Sequence, residues 1–249
     1  MTRPLGFALR LQRGAVLGWA LGLFFAGVSV GLTAEDADSI LGDSKEVDEL
    51  INRAGGSLVD NYLAVSLLSM VLIATGFAIQ AVGKMRSEET AERLEPLLAT
   101  ALARPKWAAG HIAVAVVGTV LVVGATGLGA GIADAFASDD AGRLPELVGA
   151  SLAMVPAVWV LIGVAVAIFG LLPRAMGAAW GALGACFLVS YLGPLLSLPE
   201  WVMDLSPYNH VPLLPAADAS AGPLLALTAV AAALVALGVI AFRRRDVAA

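Results

Sequence analysis

The side chains that could carry out chemistry are few and lie far apart in the sequence. The chain has two histidines, His111 and His210, and one cysteine, Cys186. Structural zinc sites usually gather four such ligands, so no metal site is predicted, and a lone cysteine excludes an intramolecular disulfide. Lys84 follows a glycine but lacks the second glycine of a phosphate-binding loop. With no HExxH motif and no nucleophile elbow predicted, we expect no catalytic residue and no cofactor bound by this chain.

Segment 84–111 is the long charged stretch between two apolar runs, and it also carries a helical apolar pattern. Four leucines recur at the spacing of one helix face, and they are Leu94, Leu97, Leu98 and Leu102. Ser87 is a candidate N-cap because acidic residues follow it, and Pro96 should interrupt the helix. We therefore predict two short helical pieces here, followed by a basic and aromatic exit.

The elements around this segment are those of a membrane protein. The chain is 59% hydrophobic and 14% charged, with a mean hydropathy of +0.86, whereas a soluble domain needs a more charged surface. We predict an all-α polytopic protein with a single transmembrane domain, an interfacial helix at 2–13 and a fourth span bent at Pro156. The predicted spans are 14–33, 61–83, 112–133, 147–172, 175–195 and 224–242.

The distribution of basic residues predicts the orientation. With the N terminus inside, twelve of the 15 lysines and arginines lie in inner segments, and the other three are Lys45, Arg53 and Arg143. This asymmetry follows the positive-inside rule, so both termini and segment 84–111 are predicted to be cytoplasmic.

Segments 34–60, which is acidic, and 194–223, which is rich in proline, are predicted to lie outside. We expect 194–223 to form short helices that dip back into the outer leaflet. Trp201 and Tyr208 are suited to the membrane interface.

Small residues mark the faces where helices are predicted to approach closely. Gly127 and Gly131 form one such pair in the third span. The other candidate positions are Gly14, Gly18, Gly22, Gly177 and Gly181.

The six predicted spans contain no Asp, Glu, Lys or Arg. A charge in mid-membrane costs about 2.5–3.5 kcal/mol, so proteins that keep one usually use it for ions or protons. We therefore expect neither a proton- or sodium-coupled transporter nor an intramembrane hydrolase. Such a chain needs an energy source docked from the cytoplasm, and segment 84–111 is large enough to receive it.

Three stretches resemble the membrane subunits of ABC-2-type exporters, in particular actinobacterial permeases for polyketide antibiotics such as tetronasin. The stretches are EETAERLEPLLATALARPKW (88–107), LSPYNHVP (205–212) and FRRRD (242–246). The resemblance covers essentially the whole chain, which looks like the second six-span half of a two-half permease. Ala91 and Ala101 depart from the pattern, since family members often have a glycine and a proline there.

The resemblance implies that segment 84–111 contains a coupling helix seated in a groove of a separate ABC ATPase subunit, which would use ATP and Mg. The residues implied at or near this contact are Glu88, Glu89, Arg93, Glu95, Leu97, Leu98, Arg104 and Trp107. The other expected partners are a second six-span half, membrane lipid and a lipophilic drug, antibiotic or lipid-like substrate. No nucleic acid is expected.

The implied mechanism is alternating access between two halves in the plasma membrane, with a cavity lined by spans one, two and five. The chain could be a split subunit, a homodimer protomer or a domain of a longer chain. One competing hypothesis is a membrane anchor or assembly subunit that transports nothing. Another is an enzyme that acts on lipid at the outer face through His210, Asp204 and Asp218, although their spacing matches no triad.

Overall fold

The helices follow the order of the predicted spans. The structure, a computed structural model, describes residues 4–34, 36, 57–91 and 104–245. Eight α-helices lie in these ranges, and no strand does. They are α1 (Pro4–Leu32), α2 (Leu58–Thr90), α3 (Arg104–Ala137), α4 (Arg143–Ala153), α5 (Val155–Leu171), α6 (Ala178–Leu192), α7 (Glu200–Met203) and α8 (Ala221–Arg244).

Five of the described helical stretches are long and apolar enough to cross a bilayer. They are Ala8–Leu32, Leu58–Thr90, Pro105–Ala137, Arg143–Leu171 and Ala221–Arg244. The all-helical class is thus confirmed. At the predicted fifth span, α6 has 15 residues and is about 22 Å long, less than the roughly 30 Å hydrocarbon core. It begins five residues after Pro173 and ends two residues before Pro194, and neither proline can donate a backbone hydrogen bond to a longer helix.

Two helices are continuous across positions where the sequence predicted a helix to end. α1 is continuous from Pro4 to Leu32, where an interfacial helix and a span were predicted separately. α2 starts at the N-cap Ser57, whose hydroxyl accepts a hydrogen bond from the Asp60 amide at 3.0 Å, and ends at Thr90. Ser87 therefore lies inside α2, and the prediction that it caps a new helix is wrong. No proline separates it from the span, so the helix simply continues.

The fourth predicted span is broken, but not at Pro156 itself. α4 and α5 meet at Met154, whose amide donates to the Ser151 carbonyl at 3.1 Å. Pro156 lies in the first turn of α5, where a missing amide proton costs nothing. Its ring would clash with the carbonyl four residues earlier, at Leu152, so the break falls before the proline rather than on it.

α2 lies at the centre of the bundle and contacts α1, α3, α4, α5 and α6. The closest packing joins α1 to α3 and α5 to α8, and glycines make it possible. A Cβ at Gly27 would collide with the Thr126 carbonyl of α3, and a Cβ at Gly170 with the Gly238 carbonyl of α8. The predicted close-packing pair in α3, Gly127 and Gly131, is confirmed, since both lie against α4.

The proline-rich segment between α6 and α8 packs against the bundle through Tyr208. This side chain is fully buried, and its hydroxyl lies 2.5 Å from the Thr75 hydroxyl near the middle of α2. The expectation that Tyr208 sits at the membrane interface is therefore wrong, because its polar tip is paired inside the protein. Trp201, in α7, is 69% exposed.

Candidate functional site

The predicted coupling segment connects two helices that end side by side. We call this end of the bundle the coupling end; it consists of the last turns of α2, α5 and α8 and the first turns of α1 and α3. Of the implied contact residues, Glu88 and Glu89 lie in the last turn of α2, and Trp107 lies in the first turns of α3. Arg104 is the first residue of α3, and its side chain is not described. The remaining four, Arg93, Glu95, Leu97 and Leu98, fall outside the described residues.

The described contact residues are engaged within this chain. Glu88 and Trp107 are buried. The Glu89 carboxylate accepts a hydrogen bond from Arg86 at 3.2 Å and is also paired with Arg245, which follows α8. These side chains thus contact other parts of the same chain, and they anchor the end of α2 and the start of α3. Their contact with an ATPase stays a prediction.

Aromatic and polar side chains pack the coupling end together. Trp107 lies against His111, with ring centroids 4.9 Å apart, and against Phe242 of α8 at 6.0 Å. His111 is buried, and its Nδ1 lies 3.2 Å from the side-chain Nε2 of Gln12 in α1. These contacts therefore join helices α1 and α8 to the first turns of α3.

A second candidate surface is the open face shared by α1, α2 and α6. The Trp19 indole N–H donates to the Gln80 side-chain oxygen at 2.9 Å. The rings of Trp19 and Trp180 both lie against Gly76, since a Cβ built there would be 3.5 Å from each. A groove of about 410 Å³ is lined by Ala15, Gly18, Trp19, Gly22, Leu23 and Gln80.

Two of the predicted glycine positions, Gly18 and Gly22, line this groove. A Cβ would meet no other part of the described chain within 4 Å at any of the five predicted positions, which are Gly14, Gly18, Gly22, Gly177 and Gly181. In α1 the packing on α3 uses Gly27 and Gly31 instead. Gly27 is nine residues from Gly18, about two and a half turns, and so lies on the opposite side of the helix. The role of the open glycines between two halves or along a cavity stays a prediction.

Comparison with known proteins identifies the family. The model of the C-terminal domain of the multidrug efflux system permease Rv1217c matches residues 1–243. The multidrug efflux system permease protein Rv1217c of Mycobacterium tuberculosis is 38% identical over 250 residues, which cover 99% of this chain and 46% of that protein. The chain belongs to this permease family. It spans about half the length of the curated relative that it matches.

Membership in the efflux permease family agrees with several sequence predictions. A multi-pass protein of the plasma membrane fits both the family and the apolar helices. The match to a C-terminal domain agrees with the prediction that this chain resembles the second half of a two-half permease. A transporter component, rather than an enzyme, is what the relative's name describes.

The chain also contains an ion-pair cluster that the sequence analysis did not predict. Arg143, at the start of α4, bonds Asp134 of α3 at 2.7 Å, Asp60 of α2 at 3.0 Å and Glu146 at 2.9 Å. Asp134 is buried inside α3 and lies one residue beyond the predicted third span, 112–133. The sequence did contain a signal for this ion pair. Asp134 ends the apolar run of α3, and Arg143 follows it by nine residues. The cluster ties three helices together at the end opposite the coupling end.

The residues of the enzyme hypothesis do not assemble into a catalytic arrangement. Asp204 and His210 line one groove of about 340 Å³, but Asp218 is not among its lining residues. A His210 ring nitrogen lies 3.1 Å from the Ser206 carbonyl.

Two further observations bear on catalysis and cofactors. Residues 27–31, GVSVG, match the letters of a nucleophile elbow but lie inside α1, and the elbow requires a strand-to-helix turn. Among the residues that the structure describes, no three His, Cys, Asp or Glu side chains are grouped to hold a metal.

Proposed function

We propose that the chain is a permease half of an ATP-driven exporter, which moves a lipophilic substrate out of the cell by alternating access. The observation that carries the proposal is that α2 and α3 continue beyond the predicted spans at the same end. Their extensions, 84–90 and 104–111, are about 10 and 12 Å long, and in the proposal they carry the connection between α2 and α3 into the cytoplasm. The family, whose members are named as multidrug efflux permeases, supports the export role.

In this proposal the energy comes from a separate ABC ATPase, which binds ATP and Mg and contacts segment 91–103. Closure of the ATPase pair on ATP would push this segment. The packed coupling end would carry the push to α1 and α8 through the contacts among Gln12, His111, Trp107 and Phe242. It would reach α5 through the contact between Phe242 and Phe169.

The same proposal assigns α6 to the fifth of six membrane crossings, and it assigns the proline-rich segment that follows α6 to the outer leaflet. Both termini then face the cytoplasm, in line with the charge asymmetry. A second six-span half, from the same or a homologous chain, would cover the open face of α1, α2 and α6.

The substrate path would run along this open face. The groove beside Trp19 and Gln80 is largely apolar, and its lining side chains carry no charge. Apolar and aromatic walls with one polar amide suit a lipophilic molecule that enters from the membrane. The glycines around it would let helices slide past each other during the transport cycle.

Affinity purification from gently solubilised native membranes tests the proposal. We expect a stoichiometric cytoplasmic protein with a phosphate-binding loop to co-purify with the wild-type chain and to be lost with Leu98→Glu. Thr100→Glu is the matched control, because it places the same charge about 200° around the predicted helix. Glu89→Lys is a poorer test, since it would also break the pair with Arg245.

Recovery of the chain without any ATPase in several mild detergents would refute the exporter. It would favour the alternative, a membrane anchor or assembly subunit, and would remove the coupling role of segment 91–103. Equal loss of the partner with Leu98→Glu and Thr100→Glu would show that the segment was disrupted in general, so the docking face would have to be placed elsewhere.

A further inference from the structure

The arginine that follows α8 is bound into the coupling end, unlike the two arginines before it. We infer that Arg245 is a positioning residue that fastens the α5–α8 pair to the last turn of α2, so that movement of the coupling segment reaches that pair. The inference rests on the proposed exporter function and assigns a role to a residue outside segment 84–111.

The contacts of Arg245 reach two other helices. One guanidinium nitrogen pairs with the Glu89 carboxylate of α2, and the other donates to the Phe169 carbonyl of α5 at 2.8 Å. The guanidinium carbon also lies 5.4 Å from the Phe169 ring centroid and 5.5 Å from that of Phe242, within the range of cation–π attraction. A planar, multidentate cation can satisfy all of these partners at once, which a lysine ammonium cannot.

The position of this contact in the bundle gives it a mechanical role. α8 packs mainly on α5, through close approaches at Gly163, Gly170 and Gly238. Its most apolar stretch is only 17% buried, so most of the helix surface faces outward. Arg245 is where the end of α8 is fastened to α2, at the turn that leads into the coupling segment. A force on that turn therefore acts directly on α8.

Burial makes the pair stronger than an ordinary surface ion pair. The side chains of Arg245 and Glu89 are 19% and 10% exposed, and interactions between charges strengthen as water is excluded. Glu89 also accepts a bond from Arg86. After removal of Arg245, Glu89 therefore keeps a cationic partner, and the last turn of α2 should stay folded while its tie to α8 is lost.

The neighbouring arginines provide matched controls. Arg243 and Arg244 carry the same charge in adjacent positions, and both are exposed. By composition the three arginines are equivalent contributors to the positive-inside signal. A role in orientation would thus be shared by all three, whereas a role in positioning belongs to Arg245.

The test uses the complete complex in inverted membrane vesicles, with Nile red, an uncharged lipophilic dye, as the transported probe. ATP hydrolysis and dye accumulation are measured together for the wild type and for Arg243→Ala, Arg244→Ala and Arg245→Ala. We expect Arg245→Ala to hydrolyse ATP within about twofold of the wild type but to move at least about fivefold less dye per ATP, the lower end of typical coupling between sites. Arg243→Ala and Arg244→Ala should keep the wild-type ratio.

Further variants separate positioning from a general structural effect. Arg245→Lys should move more dye per ATP hydrolysed than Arg245→Ala but less than the wild type. Glu89→Gln should lower the dye moved per ATP as Arg245→Ala does. The double variant should be no worse than either single one, because both remove the same link. If Arg245→Ala does not assemble, Glu89→Gln decides the matter.

An unchanged ratio for an assembled Arg245→Ala complex would overturn the inference and leave the exporter function intact. An equal fall for Arg244→Ala would overturn it as well, since charge alone would then be responsible. A wild-type complex with no bound ATPase, or with no ATP-dependent dye movement, would instead count against the proposed exporter and remove the basis of the inference.

Discussion

The cluster around Arg143 predicts a graded effect on stability, because its three carboxylates differ in exposure. Asp134 is 1% exposed and Glu146 is 44% exposed, while Arg143 itself is 16% exposed. Arg143→Met preserves much of the side-chain volume but leaves the Asp134 carboxylate buried without this partner. Breaking a buried pair from one side typically costs about 3–5 kcal/mol, and we expect a loss in that range.

Two comparisons isolate the cause of that loss. Glu146→Ala removes an exposed partner from the same arginine, so it should cost less than about 1 kcal/mol. The double variant Arg143→Met/Asp134→Leu removes both charges, and replacing a buried ion pair by apolar residues is often close to neutral. We therefore expect the double variant to be at least about 2 kcal/mol more stable than Arg143→Met alone.

The free energy of unfolding can be measured for each variant by SDS-induced unfolding of the purified chain in mixed micelles, followed by tryptophan fluorescence. A loss of less than about 1 kcal/mol for Arg143→Met, the value expected of an exposed pair, would refute the reasoning. A double variant as unstable as Arg143→Met would also refute it, because the stranded Asp134 would then not be the source of the cost.

Two further predictions concern packing. Tyr208→Phe should cost about 1 kcal/mol, the usual value of one buried hydrogen bond, in the same unfolding assay; a neutral result would mean that the Thr75 contact contributes nothing. Gly170→Leu should destabilise the chain by about 1–3 kcal/mol through collision with the Gly238 carbonyl. Gly177→Leu, where an added Cβ would meet open space, should leave the unfolding free energy of the isolated chain within about 0.5 kcal/mol but weaken association with a second half, measured by crosslinking in membranes. Equal destabilisation by the two leucines would contradict the assigned packing.

The all-helical membrane class and the places of the long helices could be predicted from the amino-acid sequence, whereas docking of an energy source on segment 84–111 stays a prediction. These features depend on local patterns: uninterrupted apolar stretches, prolines that end helices, and the side on which basic residues gather. The same local rules predicted a bend at Pro156 and the close-packing pair Gly127 and Gly131. The structure contains the pair, and it has the break two residues earlier, at Met154.

The tertiary structure alone decided which face of each helix is used and which of several equivalent residues is engaged. α1 has glycines on both sides, and the partner helix α3 selects Gly27 and Gly31 rather than Gly18. Of three successive arginines, Arg245 meets a carboxylate that is 156 residues away in the sequence. Such choices depend on contacts between distant segments, which local hydropathy and helix periodicity do not encode. For the same physical reason, the buried places of Tyr208 and Asp134 became evident only when the helices were packed together.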